Sequence, residues 1–334
     1  MTLRPHSELN LYFAACAPDG GVYHYRSHSG RLEFVKKYQL DRPMYLCAAG
    51  GHMYVLLREP FEGSTDSGLF DYKIAADGSL IDPTEPISTG GRCACHLSMS
   101  RGRIYATNYL SGSVVSVDSD KNVRLATHSG KGSHPTRQEA PHTHFVRESP
   151  DGKCLFAVDL GVDRIYIYDH ELNCLGAAAV PSGAGCRHLD YSPDGRYVFC
   201  ANELASTVTV LRYTDCQLEP LYTVPALPAD YTGESTCAAI RVSSDGETLY
   251  VSNRGHDSVC AYKLHDGILS DPVWTKIGGV SPRDFIIADG IMYVTNEKTN
   301  NVTLFNVDGR ELTKLDYELE MPNPLCVVYT YAQI

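Results

Sequence analysis

A chain of 334 residues with 43% apolar content is long enough to bury a large core in one domain, residues 1–334. Its formal charge of -11 argues against a nucleic-acid or anionic-membrane partner, either of which favours a basic face. No apolar run reaches the roughly eighteen residues of a membrane span, and the opening MTLRPHSELNLYF lacks the basic-then-apolar pattern of a secretory leader, so a cytoplasmic location is expected.

The first pattern along the chain is an apolar run at 9–15 that ends at Ala15-Cys16. The same ending, a polar turn after a short apolar run, recurs at Arg58-Glu59, Asn108-Tyr109, Asp159-Leu160, Asn202-Glu203, Asn253-Arg254 and Asn296-Glu297. A second series marks the entry to a preceding run: Pro43 to Leu46, Ala94 to Leu97, His142 to Phe145, Cys186 to Leu189, Cys237 to Ile240, Pro282 to Phe285 and Pro324 to Val327. Both registers count seven units at a period of about 42 to 51 residues. The stretch GAGCRHLDYSPDGRYVFCANELASTVTVLRY, from Gly183 to Tyr213, shows the unit most plainly. Its three short apolar runs are divided by Ser-Pro-Asp-Gly and Asn-Glu-Leu-Ala-Ser, which is the pattern of strands joined by tight turns.

Seven repeats of four short strands predict an all-β, seven-bladed β-propeller. The N-terminal unit starts at what reads as a second strand, and only a few residues follow Pro324. The C-terminal strand is therefore expected to become the innermost strand of the N-terminal blade and close the ring.

In a four-stranded meander the loop entering strand one and the loop leaving strand two share one end, so both recurring series face one mouth of the channel. The opposite turns, such as Ser149-Pro-Asp-Gly152, Ser192-Pro-Asp-Gly195, Ser244-Asp-Gly246 and Ala288-Asp-Gly290, are hairpin chemistry. The polar mouth collects His96, Asn108, Tyr109, His142, His144, Asp159, Arg187, His188, Asn202, Glu203, Asn253, Arg254, Arg283, Asp284 and Glu297.

Imidazoles, guanidiniums and a carboxylate at one pocket suit attack of water on an ester-like carbonyl. Histidine takes the proton near neutral pH, and arginine stabilises the oxyanion or grips an acid group. No GxSxG, HExxH or Walker loop is present, so a covalent serine mechanism has no support. His, Asn and Asp at blade ends also bond to neighbouring backbone, and for His96, His188, Asn108, Asn202 and Asn253 that structural role competes with a functional one. Asp159 and Asp163 are expected to fix their turn. His142 and His144 lie two apart, so on an extended strand they should point the same way, one working and the other supporting it.

The twelve cysteines form no CxxC pair and read as reduced, buried small residues. Cys93-Ala-Cys95 beside His96 could bind a metal but lacks a second cluster at ligand spacing.

The segments PHTHF, AVDLGVDRIYIY, the Gly183–Tyr213 unit and SSDGETLYVSNRGHDSVCAY resemble the lactonase family of seven-bladed propellers, which includes propeller-type 6-phosphogluconolactonases and the fungal carboxy-muconate lactonizing enzyme. The resemblance spans essentially the whole chain. It implies a metal-independent, cofactor-free lactonase acting on a small anionic lactone, 6-phosphogluconolactone before others, in a monomer or weak homo-oligomer. It further implies His144 with His142, Arg187, Glu203 and Arg254 as the catalytic set. His96, Asn108, Tyr109, His188, Asn202, Asn253 and Arg283 are expected around the substrate. The chain departs from the family pattern at Cys186, at Arg58 and at Ala239, where an acidic residue is frequent; the last leaves the lactone open. A carboxy-muconate-type cycloisomerase, a calcium-dependent gluconolactonase and a non-catalytic interaction platform are the competing expectations.

Overall fold

The structure, a computed structural model, describes residues 9–331 except residues 29 and 62 and the side chain of residue 59. Residues 1–8, on which much of the leader argument rests, lie outside the described residues. The described residues form strands and turns with no α-helix, and hence no helix long and apolar enough to cross a membrane.

Seven antiparallel sheets follow one another around a ring. The second blade runs Pro43–Ala49, His52–Pro60 and Ser67–Ile74, and its outer edge is split between Leu80–Ile81 and Ile87–Ser88, both paired with Ser67–Ile74. The third to seventh blades begin with the inner strands Ala94–Ser100, Thr143–Glu148, Cys186–Tyr191, Thr236–Val242 and Pro282–Ala288, each followed by three strands in simple meander order. The first blade is composite: Pro324–Tyr331 pairs with Leu9–Ala15, which continues to Gly21–His28 and Arg31–Gln39. The C-terminal strand is thus the innermost of the N-terminal blade, as the sequence predicts, and the ring has no open inner edge.

Alternation along the strands supplies both faces of each blade with apolar side chains. Seven apolar clusters result, one per blade interface; Phe145, Phe156 and Val158 meet Leu189, Val198 and Leu211 between the fourth and fifth blades, for example. The turns at the end away from the polar mouth are built as their sequences require, with Gly152, Gly195, Gly246 and Gly290 at φ of 70°, 71°, 77° and 77°.

One irregularity repeats in every blade. Where the inner strand enters the mouth, its pairing with the second strand slips, and residues are left without an opposite number. These are Leu325, Met44, Cys95, His144, Arg187, the pair Ala238-Ala239, and Arg283. A bulge re-aims the side chain it displaces. The ring of seven bulges therefore gathers apolar residues on the first three blades and cationic or imidazole residues on the fourth, fifth and seventh.

Candidate active site

Glu203 is the electrostatic centre of the mouth. It follows the strand Tyr197–Asn202, and its backbone N–H donates to Gly185 O at 2.7 Å, which fixes the turn. Its side chain is buried, yet three guanidiniums reach it. Arg137 donates from Nη2 to Oε1 at 2.6 Å, Arg187 from Nε to Oε2 at 3.0 Å, and Arg254 Nη2 lies 2.9 Å from Oε2. Burial alone would raise the Glu203 carboxyl pKa, but Arg254 and Arg187 outweigh it and hold the group well below the usual carboxylate range. Arg187 is itself almost fully buried; burial and the neighbouring Arg254 pull its pKa down to about 9, which leaves it a cation at neutral pH.

A cavity of about 310 Å³ opens beside this cluster, lined by Glu203, Arg137, Arg254, Arg283, His144 and Tyr109 on one side and by Met44, Cys93 and Cys95 on the other, with Arg58 and Thr236. It shares Arg137, Arg254, Arg283 and Thr236 with an outer basin of about 810 Å³ that also carries Glu297. Arg283 Nη1 donates to Glu297 Oε2 at 3.3 Å. The guanidiniums of Arg58, Arg137, Arg187, Arg254 and Arg283, with Lys298, thus outnumber Glu203, Glu234 and Glu297 at this mouth, a local cationic excess in a chain of net negative charge. Such a pocket is electrostatically suited to an anion.

His144 lines the cavity at its bulge position. Burial, with Arg187 next, drives its pKa well below 6.5, so at neutral pH it is an uncharged imidazole with a free lone pair. Nδ1 of that ring is buried without a protein partner, which leaves Nε2 as the nitrogen on the cavity side.

His142 does not share this orientation. It precedes the strand Thr143–Glu148, and the slip between Thr143 and Phe145 breaks the two-residue alternation that the sequence suggests. Its ring stacks on Tyr109 with centroids 4.4 Å apart, and its nitrogens lie 3.1 Å from Tyr109 O and 3.2 Å from Glu139 Oε1. It props Tyr109 and lines no part of the cavity.

His96 and His188 also fall away from the cavity, into the channel beneath. The His188 ring lies 5.3 Å from that of His144 and 5.4 Å from that of His96, and His96 packs against Tyr45 and Phe145. Asp284, displaced by the bulge at Arg283, pairs instead with Arg241 at 2.8 Å.

Asn108, Asn202 and Asn253 are fully buried and line no part of the cavity. Asn202 turns its amide to Thr207 and Thr209 of its own blade, while Asn108 donates to Ser113 of its own blade and to Thr89 O after the preceding one, and Asn253 likewise to Ser258 and to Ala226 O. Of the expected substrate contacts only Tyr109 and Arg283 line the cavity, joined from the expected catalytic set by His144, Glu203 and Arg254. Asp159 and Asp163 do fix turns, accepting from His142 N and Gly161 N and from Gly183 N and Gly185 N.

Arg137 is the residue that reading the repeats misses. It sits in the loop 128–142 between the third and fourth blades, which occupies no position of either repeat. The loop is pinned by Gln138, whose buried amide donates to Leu160 O at 2.8 Å and Asp163 Oδ1 at 2.7 Å and accepts from His134 N. The same loop begins with His128, whose ring bonds Asp159 at 2.6 Å and Tyr168 at 2.9 Å.

Cys95 lines the cavity while the His96 ring turns beneath it, so the Cys93-Cys95-His96 triplet does not converge. Among the described residues no group of three or more His, Cys, Asp or Glu side chains is placed to hold a metal ion. All twelve cysteines carry free thiols and eight are buried; Cys174 is exposed.

A closed seven-bladed ring with an arginine-rich cavity, a clamped carboxylate and a neutral imidazole at one mouth has the form of a propeller enzyme with a small-molecule pocket. Comparison with known proteins gives the family: residues 10–329 match the model of the family described as lactonase, 7-bladed beta-propeller, and the chain belongs to it. It is 32% identical over 313 residues to a 6-phosphogluconolactonase of Bacillus subtilis, covering 88% of each chain. A Bacteroides fragilis protein provisionally designated a 6-phosphogluconolactonase superposes with a TM-score of 0.89 at 26% identity over 99% of this chain and 100% of that one. The periplasmic gluconolactonase of Pseudomonas aeruginosa has the same fold, with a TM-score of 0.89 at 24% identity over 98% of this chain and 100% of that one. The chain is accordingly a lactonase-family enzyme, and the interaction-platform expectation falls.

Proposed function

We propose that this enzyme hydrolyses the lactone of an acidic sugar, 6-phosphogluconolactone before others, to the open acid. The observation that carries the reading is the cavity that brings the neutral imidazole of His144 beside Glu203, Arg137, Arg254 and Arg283. His144 Nε2 takes a proton from water as its oxygen attacks the lactone carbonyl, and Arg254 neutralises the tetrahedral oxyanion. Collapse breaks the bond from the carbonyl carbon to the ring oxygen, which leaves with the proton His144 received. Arg137 and Arg283, open to the outer basin, grip the phosphate or carboxylate. Arg187 is too deeply buried for that task and serves by fixing Glu203 and by keeping His144 neutral. Side chains supply every step, so the reading needs no metal. Twelve free thiols fit a reducing, cytoplasmic compartment.

A different use of the same anion grip closes a lactone: a muconate carboxylate oxygen adds across a carbon–carbon double bond while the neighbouring carbon takes up a proton, with no water lost. Met44 and Cys95 on the opposite wall, backed by Cys16 and Leu325, favour a ligand with one weakly hydroxylated face, and that observation keeps a carboxy-muconate-type cyclisation as the second reading. Acid release is to be followed in weak buffer against a panel of phosphorylated sugar, plain sugar and muconate lactones, with spontaneous hydrolysis subtracted. Preference for the phosphorylated lactone is the expected result; rates equal to buffer across the panel exclude hydrolysis.

A further inference from the structure

Four buried polar atoms on the neighbouring residues His144, Arg187 and His188 lack a protein partner: Nδ1 of His144, Nη1 of Arg187 and both ring nitrogens of His188. The three residues are 4%, 2% and 2% exposed and come from the inner strands of two adjacent blades. Native interiors meet such groups with a bonding partner, protein or water. The rings of His144 and His188 lie 5.3 Å apart at 63°, without a direct bond between their nitrogens, a separation that a single bridging water spans. The side chains around the His188 ring are largely apolar or already engaged. Phenylalanine 145 closes one side of the His188 ring at 5.3 Å, Tyr45 stands edge-on at 6.4 Å, and His96 Nδ1 already faces Val146 N at 3.3 Å.

The reaction proposed above restricts which way the protons run. A base whose lone pair is at Nε2 carries its proton on Nδ1, and that proton needs an acceptor. Arginine has none to give; a neutral imidazole has one.

We infer that one buried water accepts protons from His144 Nδ1 and Arg187 Nη1 and donates to His188, making His188 the positioning residue that holds His144 in its basic tautomer. The inference rests on the reading of His144 as the base. It assigns a role to a ring that touches no substrate, and it places the water on three bonds, the usual number for a buried one.

The test pairs kinetics with a readout that needs no substrate. Two-bond 1H–15N correlations on histidine-labelled protein distinguish protonated from unprotonated ring nitrogens, and the loss of one signal set among the 13 histidines in His144→Gln assigns His144. The wild type is expected to show His144 protonated at Nδ1. His188→Leu is expected to mix the tautomers and to lower kcat about 10- to 100-fold with KM within about threefold, whereas His188→Asn, which keeps an acceptor, retains kcat within about fivefold. A purely structural His188 would lower the unfolding midpoint of the leucine variant and leave both the His144 spectrum and kcat of the folded fraction unchanged. His144 protonated at Nε2 in the wild type overturns the proposal even if the leucine variant does not fold. Should no lactone be hydrolysed at all, the spectrum still decides the water-linked tautomer independently of the function.

Discussion

Arg137 Nη2 lies 2.6 Å from Glu203 Oε1, joining a half-exposed loop residue to a buried carboxylate 66 positions later in the chain. Glu203 also holds Arg187 and Arg254, so the contact makes the loop 128–142 one wall of the arginine cluster rather than a passive connection.

Replacing Arg137 by alanine therefore tests function apart from stability. The guanidinium is 41% exposed, and a pair screened to that degree contributes little to folding, so the unfolding midpoint should move by no more than a degree or two. The activity should not be spared. Losing one cation from the anion grip is expected to lower kcat/KM about 10- to 100-fold, chiefly through KM if Arg137 binds the remote acid group. Steady-state kinetics on a phosphorylated and an unphosphorylated lactone separate the two cases, and equal kcat/KM for variant and wild type on both removes Arg137 from the site.

Glu203→Gln should behave in the opposite sense. It keeps the volume but leaves Arg187 and Arg254 buried against a neutral amide, and removing one partner of a buried ion cluster costs on the order of 3–5 kcal/mol. Urea unfolding should show that loss, and added inorganic phosphate should recover part of it by entering the cavity as a substitute anion. An unchanged midpoint would mean that the cations are already neutralised from elsewhere.

The ring was legible in the sequence because each blade repeats the same alternation and the same turns. Inner strands starting at Pro43, Ala94, Cys186, Pro282 and Pro324 fall where their entry motifs place them, and those starting at Thr143 and Thr236 are one residue off. The closing strand followed from counting strands at the two ends. The aim of individual side chains was not legible. A bulge depends on how many residues the partner strand sets opposite, so His142 and His144 look equivalent on paper and diverge in space. The same slip carries Asp284 away from the mouth, and Arg137 lies on a loop outside every repeat.

The pH response follows from three imidazoles held neutral. Burial, helped in each case by nearby arginines, drives the pKa of His144, His188 and His96 well below 6.5. Their folded-state values are depressed, so the unfolded chain binds protons that the folded chain refuses. The stabilisation is complete above about pH 6.5 and is lost as pH falls below it, each group contributing up to about 1.4 kcal/mol per pH unit. The depressed Glu203 adds a further loss below its ordinary value of 4.5. Urea midpoints at pH 7.5, 6 and 5 should decline steadily; a midpoint flat across that range contradicts neutral burial.

Activity should follow a different course over the same interval. The groups facing His144 are Arg187, Glu203, Arg283, His188 and Tyr109; burial first, and then Arg187, keeps the imidazole unprotonated. In the folded enzyme kcat/KM should therefore hold level from about pH 8 to about pH 6, with no half-loss near 6.5. Initial rates corrected for spontaneous hydrolysis measure this, and an acid limb centred near 6.5 would move the base to a solvated histidine.

Ring closure can be tested on one strand. Val327 is 1% exposed and packs with Val302, Leu304 and Tyr293 between the seventh and first blades, while Tyr329, two residues on, is 37% exposed. An aspartate at 327 buries an unpaired carboxylate in the seam that joins the two chain ends, which should cost upward of about 4 kcal/mol or prevent folding. An aspartate at 329 meets solvent and should cost less than about 1 kcal/mol. Because both changes leave the backbone pairing with Leu9–Ala15 intact, the contrast isolates the packed face of the closing strand. Equal destabilisation of Val327→Asp and Tyr329→Asp in urea would show that the strand is not seated between the two blades.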